Sequence, residues 1–200
     1  MISNNITISV FIAGPHGIYH FTFLQLGGFY VAPVVGAAIG QLGGHWLHDL
    51  VGRVYMRRHE GVIVPEARLI IIWFVTPIYL IAQNIMGASL SQHWPYQALA
   101  FGWFLHNMCA IIITTAVYAY LLDAYPEGSG ESAAWLNAAR TWGGFVVGYV
   151  QIIWVQAIGF QKTYGIQSAI VAAIFFLVVF LQFYGSELRH SQGPMNFKTH

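Results

Sequence analysis

Apolar residues along this chain gather into five long blocks separated by short polar interruptions, and within the blocks they run continuously instead of alternating. A continuously apolar block of about 20 residues matches the thickness of a bilayer when wound as a helix. Only helices and closed barrels satisfy their backbone groups in lipid, and barrel strands would be about ten residues long with alternating polarity. The pattern therefore predicts helices over residues 23–47, 67–90, 96–122, 132–159 and 164–184. Gly- and Pro-containing breaks at 61–65, 93–95, 126–130 and 161–165 separate them, short enough to make consecutive helices antiparallel neighbours. Pro33 and Pro77 fall inside the first two helices, where a missing N–H predicts kinks. The expected fold class is all-α, a polytopic transmembrane bundle of five spans. Residues 1–22 form an N-terminal segment before the membrane region 23–185, and 186–200 form a tail.

Composition sharpens this picture. Hydrophobic residues make up 57% of the chain and charged residues 8%, with a mean hydropathy of +0.60, far from the balance of a water-soluble domain. The net charge of +1 and the lack of a basic stripe exclude an electrostatic nucleic-acid binder. The one cysteine, Cys109, lies in an apolar stretch and reads as a small packed side chain. Residues 1–13 lack the basic start and long apolar core of a signal peptide, so the first spanning helix is expected to direct insertion. Arg53, Arg57, Arg58, Arg68, Arg140, Arg189 and Lys198 fall on one side of an alternating five-helix topology and only Lys162 on the other. The positive-inside rule then places the N-terminus outside and the C-terminus in the cytoplasm, with the plasma membrane as the expected compartment and the lipid bilayer as the first partner.

Two kinds of stripe distinguish the helices. In the first, Ala32, Gly36, Gly40 and Gly44 recur every four residues, and in the fourth Gly144 and Gly148 do so. Small residues at this spacing let helix backbones approach closely where lipid supplies no hydrophobic drive. Polar groups inside a membrane usually face a bundle interior or a water-filled cavity. At 100° per residue, Trp103, Asn107, Thr114 and Tyr118 share one face of the third helix, with His106 beside them. Asn137, Arg140, Thr141, Gly144, Gly148 and Gln151 share a face of the fourth. These residues, with Gln151 at the membrane-embedded end, are candidates to line a solute pathway; interhelical hydrogen bonding without a solute is the alternative.

At the end of the first helix, Asp49-Leu50-Val51-Gly52-Arg53, followed by Arg57 and Arg58, resembles the Asp-x-x-Gly-Arg loop signature of major facilitator superfamily transporters. The Pro65-Glu66-x-Arg68 core resembles their loop between the eighth and ninth helices. The run from Asp123 through Glu131 to Asn137, Arg140 and Gly143-Gly144-Phe145 resembles the tenth-to-eleventh helix region of fungal members of the multidrug and polyamine branch. The family's glycine four residues before the aspartate is His45 here. The resemblance implies a partial facilitator fold in which the five spans correspond to helices 8 to 12, with residues 6–13 either the stub of a seventh helix or an apolar tail. It implies transport of a small drug- or polyamine-like solute by alternating access, often coupled to protons, with Asp49, Gly52 and Arg53 in a gating loop. By the same resemblance the second and fifth helices face lipid. A missing N-terminal half or a homo-oligomeric partner would complete the pathway. The alternative is a truncated, non-transporting membrane protein.

An enzyme is not expected, and no catalytic residue, cofactor or metal site is assigned. The nine histidines include the pairs His16/His20 and His45/His48, each able to share a helical face. The intervening span separates the pairs by roughly 37 Å at 1.5 Å per residue, too far for one metal centre. Asn5-Ile6-Thr7 is a glycosylation sequon on the expected outer side.

Overall fold

The computed structural model describes residues 2–13, 17–58 and 65–192. It is built from α1 (Ile2–Ile12), α2 (Phe23–Phe29), α3 (Val31–Arg58), α4 (Ile70–Ser91), α5 (Tyr96–Ala124), α6 (Ser129–Ile158) and α7 (Phe160–Gln192). Short 3-10 turns at Pro65–Leu69 and Pro126–Gly128 lead into α4 and α6. No strand occurs among the described residues; Ala13 and Phe21 form a single isolated bridge. Five stretches are long and apolar enough to cross a membrane: Phe23–Arg57, Pro65–Ser91, Tyr96–Ala124, Ser129–Ile158 and Phe160–Gly185. The chain is an integral membrane protein, and its described residues form an all-helical fold with five such spans.

The first span differs from its sequence expectation at both ends. It is two helices, broken for one residue at Tyr30. Pro33 has no N–H to offer the carbonyl of Phe29, and its ring crowds that carbonyl, so the break falls close upstream of the proline. Thr22 starts α2 with a capping box: its side chain accepts from the Gln25 backbone, and the Gln25 side chain accepts in return from the Thr22 N–H. At the far end the helix does not stop at residue 47 but continues to Arg58, so the Asp49 to Arg53 motif is helical. Pro77, by contrast, lies inside α4 without interrupting it.

Packing follows the small residues. On α3 a narrow stripe, Gly36, Gly40, Gly44, His48 and Gly52, is buried while the flanking positions are mostly exposed. That stripe lies along α5 in parallel register. A Cβ on Gly36 would collide with the Phe104 carbonyl, one on Gly40 would sit 2.6 Å from the Met108 carbonyl oxygen, and one on Gly44 would meet Ile112 at 3.4 Å. The backbones of α3 and α5 thus touch through absent side chains, the close approach that drives association in lipid. Helix α4 sits between α5 and α7. Gly102 of α5 receives Ile85 and Met86, and Gly87 of α4 receives the Cβ of Tyr164 from α7.

Two apolar clusters result. One joins Ile8 and Ile12 of α1 to Phe29, Met86, Leu90, Leu99, Trp103 and Tyr164. The other, toward the end that carries the charges, joins Leu69, Ile71, Ile72, Val75, Cys109, Ile112, Ala116 and Tyr120. Helix α6 is held most loosely: only Gln151 and Val155 are buried, while Trp135 and Trp142 are 77% and 73% exposed. Helix α4, expected to face lipid, turns Trp73, Phe74, Ile78 and Ile81 outward, while α5 and α7 cover its other faces.

Candidate functional site

The candidate pathway residues of α5 divide by depth. Trp103, His106 and Asn107 are fully or almost fully buried. Trp103 is held between Phe29, 5.5 Å away between ring centroids, and Tyr30, 4.9 Å away and edge-on. His106 stacks obliquely on Tyr79 of α4 at 4.6 Å. The Asn107 side-chain amide donates to the Trp103 carbonyl at 2.9 Å, and Thr114 donates to the Ala110 carbonyl at 2.7 Å. Bonds to the carbonyl four residues back keep these side chains against their own helix.

The stripes expected on the third and fourth spans meet at one point, where the Tyr118 hydroxyl donates to the Asn137 side-chain oxygen. Thr141 donates to the Asn137 carbonyl at 2.9 Å, fixing that turn of α6. Gln151 turns elsewhere. Its side-chain oxygen accepts from Thr7 of α1 at 3.0 Å, and both residues are fully buried. Gly144 and Gly148 are partly buried on α6, outside the close contact that Gly36, Gly40 and Gly44 make, and Ala32 lies at the edge of a hollow.

That hollow, about 500 Å³, opens where α2 leans from α5 and is lined by Phe21, Gln25, Phe29, Tyr96, Gln97 and Ala100 among others. Its volume falls in the range of small-molecule sites. Its wall shares Phe29 with the ring cluster around Trp103, and Phe29 separates the hollow from the buried Trp103. At the opposite end of the bundle, Asp49 and Arg53 lie one turn apart on the exposed side of α3 and border a smaller apolar hollow with Trp46 and Leu50. Asp49 is 3.9 Å from His45, whereas Gly52 is buried on the stripe itself. Arg68 donates to Asp123 at 2.9 Å, tying the turn before α4 to the end of α5.

Single polar residues on α4 and α7, absent from the sequence-derived candidates, form a second set of contacts. Gln83 donates to Gln167 at 2.6 Å, Asn84 to Ser168 at 3.3 Å and Trp73 to Gln182 at 2.7 Å. The signal was an adjacent polar pair, Gln83-Asn84 or Gln167-Ser168, in the middle of each apolar block. Among the described residues no group of three or more His, Cys, Asp or Glu could hold a metal ion. His16 and residues 61–64 of the motif before α4 lie outside the described residues, as does the tail beyond Gln192.

Comparison with known proteins gives one informative match, 26% identical over 154 residues that make up 74% of this chain. It is an uncharacterized MFS-type transporter of Schizosaccharomyces pombe. The similarity is to a transporter. The chain spans 25% of that protein's length. No family model matches the chain, and no solved structure matches it.

Proposed function

We propose that this chain is part of a major facilitator-type transporter and moves a small organic solute, drug- or polyamine-like, by alternating access together with further helices. The similarity to an MFS-type transporter over 74% of the chain carries the reading. The geometry supports it in two respects. A polar face on α5 lies inside the membrane region, and a hollow of solute size lies beside α2 and the start of α5. Large apolar faces on α3 and α6, with Trp46 81% exposed, stand ready for lipid or for a second half of a transporter. In the correspondence with helices 8 to 12, α5 is the helix that lines the cavity, and Asp49 and Arg53 latch the cytoplasmic side against the partner half.

Within the described membrane interior the titratable group on the α5 face is His106, since Asp49, Glu66 and Asp123 lie toward the charged end. Proton coupling in this reading would run through His106 or through the partner. The test is uptake of ethidium and radiolabelled spermidine by proteoliposomes carrying this chain, alone and with a co-reconstituted N-terminal half from an MFS-type relative. Saturable uptake that requires the added half supports the proposal, and saturable uptake by the chain alone supports a homo-oligomeric version. Failure of both solutes to move or to bind under either condition overturns it.

A further inference from the structure

The hollow between α2 and α5 begins where two backbones stop touching. Gly36 lies against the Phe104 carbonyl. One turn toward the helix starts, Ala32 and Ala100 line the hollow, and one turn further stand Gly28 and Tyr96. The contact at Gly36 is therefore the floor of a wedge that widens away from it. Gln97 precedes Phe104 by seven residues on α5, which makes the wedge about 10 Å deep at 1.5 Å per residue.

The walls of the wedge differ. Gly28, Ala32 and Ala100 are small, and a Cβ on Gly28 would meet nothing within 4 Å. Facing them is a row of rings: Tyr96 packs edge-on against Phe21 at 6.0 Å between centroids, and Phe21 edge-on against Phe29 at 5.6 Å. The row is held from behind. The Phe21 N–H donates to the Ile12 carbonyl at 3.2 Å, and the Tyr19 hydroxyl donates to the Trp94 carbonyl at 2.7 Å, just before α5. Polar side chains come from the first turns of α2 and α5, as Gln25 and Gln97, and no lining residue is charged. The Gln25 oxygen already accepts from the Thr22 N–H and hydroxyl, at 3.0 and 3.1 Å, so its amide N–H is what it has to offer a ligand.

We propose that this hollow binds a membrane amphiphile with a rigid, flat apolar body and one small uncharged polar group, the chemistry of a sterol. Walls without charge give a phosphate or ammonium headgroup no partner to offset its desolvation. A slot between rings and small side chains fits a flat body, which loses little freedom on entering, whereas a flexible acyl chain is immobilised bond by bond. The hydroxyl of the amphiphile lies at the mouth with Gln25 and Gln97, and its ring system reaches toward Ala32 and Ala100. Gly28, Tyr96 and Gln97 are exposed on two of the spanning segments, where lipid has access. Phe29 stands between this site and Trp103, so the assignment does not depend on transport.

The test is photolabelling of the chain in phosphatidylcholine nanodiscs with a cholestanol that carries a diazirine on its ring system, followed by peptide mass mapping. Capture should concentrate in residues 21–32 and 96–100 and be displaced by excess unlabelled cholesterol. Gly28→Leu, which enters open space on α2, should lower that capture about tenfold by overfilling the slot, while labelling around the exposed Phe176 and Leu177 stays constant. Ala100→Phe, filling the slot from α5, should act in the same direction. Capture spread evenly over the exposed faces of α3, α6 and α7, or unchanged by both substitutions, overturns the proposal. So does equal, equally sensitive capture of a phosphatidylcholine with a diazirine in its acyl chain, which would give the hollow to ordinary lipid tails.

Discussion

Gly40 and Gly43 are three residues apart on one helix, yet a methyl group would meet opposite fates at the two positions. At Gly40 it would press on the Met108 carbonyl, and at Gly43 it would find open space. Gly40→Ala should therefore destabilise the chain by about 1–3 kcal/mol through forced separation of α3 and α5. Gly43→Ala should stabilise α3 by up to about 1 kcal/mol through helix propensity alone. Reversible unfolding in mixed micelles titrated with SDS measures both, and equal effects would contradict the register of α3 against α5. A similar contrast holds on α5. Asn107→Leu removes the amide beside Trp103 and His106 without creating a cavity, so in the proposed transport assembly it should abolish solute uptake while membrane insertion stays normal. Uptake kinetics matching the unsubstituted protein would take Asn107 out of the pathway. Gly159 has a positive φ of 83°, which only glycine adopts without strain. Gly159→Val should therefore weaken the turn between α6 and α7 by about 1–3 kcal/mol, the cost of holding a residue with a Cβ at φ 83°, ψ 166°. The same titration reads that loss.

At the level of elements, what the sequence made legible depended on how local the signal was. Five spans were readable because a helix in lipid must carry its own apolar surface, and each block does. The ends were less readable, since hydropathy marks where the bilayer stops and not where the helix does. Residues 48–58 hold no proline, and Gly52 is their one glycine, so α3 continues through the charged motif to Arg58. Gly36, Gly40 and Gly44 were visible as a stripe, because a four-residue period is a property of one helix. Their partner, α5, was not. The polar pairs holding Gln83 and Gln167 stand out in their apolar blocks, but which residue each one meets was not readable, since the partner lies 84 positions away. Interhelical hydrogen bonds of this kind average about 0.6 kcal/mol and reach roughly 1.7. Gln83→Leu should accordingly cost within that range and loosen α7, measured by faster exchange of the α7 amides. No change in α7 exchange would show that apolar packing alone holds the pair.

For the whole molecule, the distribution of charge sets the direction in which the bundle sits. Arg53, Arg57 and Arg68 gather at one end, where Arg68 pairs with Asp123, and Lys162 begins the last helix at the other. With the N-terminus outside, a cysteine at position 162 in a Cys109→Ala background should react with a membrane-impermeant maleimide added to intact cells. One at position 57 should react only after permeabilisation. The reverse pattern would invert the topology and with it the assignment of Asp49 and Arg53 to the cytoplasmic side. The exposed apolar faces of α3 and α6 are also a property of this scale: each residue on them reads as lipid-facing in isolation, and only the bundle shows that α6 has so few neighbours.

Helix α1 is made well before some of the partners that bury it. Its buried Thr7 finds Gln151 144 residues further along the chain. Phe160 and Tyr164, which also pack on it, come later still, after Phe29, Met86, Leu99 and Trp103 have been made. At roughly 5–20 residues per second, synthesis from α1 to α7 takes on the order of 10–30 seconds. Through that interval Ile8 and Ile12 have no completed bundle to enter. Helix α1 thus leaves the ribosome ahead of the helices that bury it, and the closing of the apolar cluster around it follows the last of them.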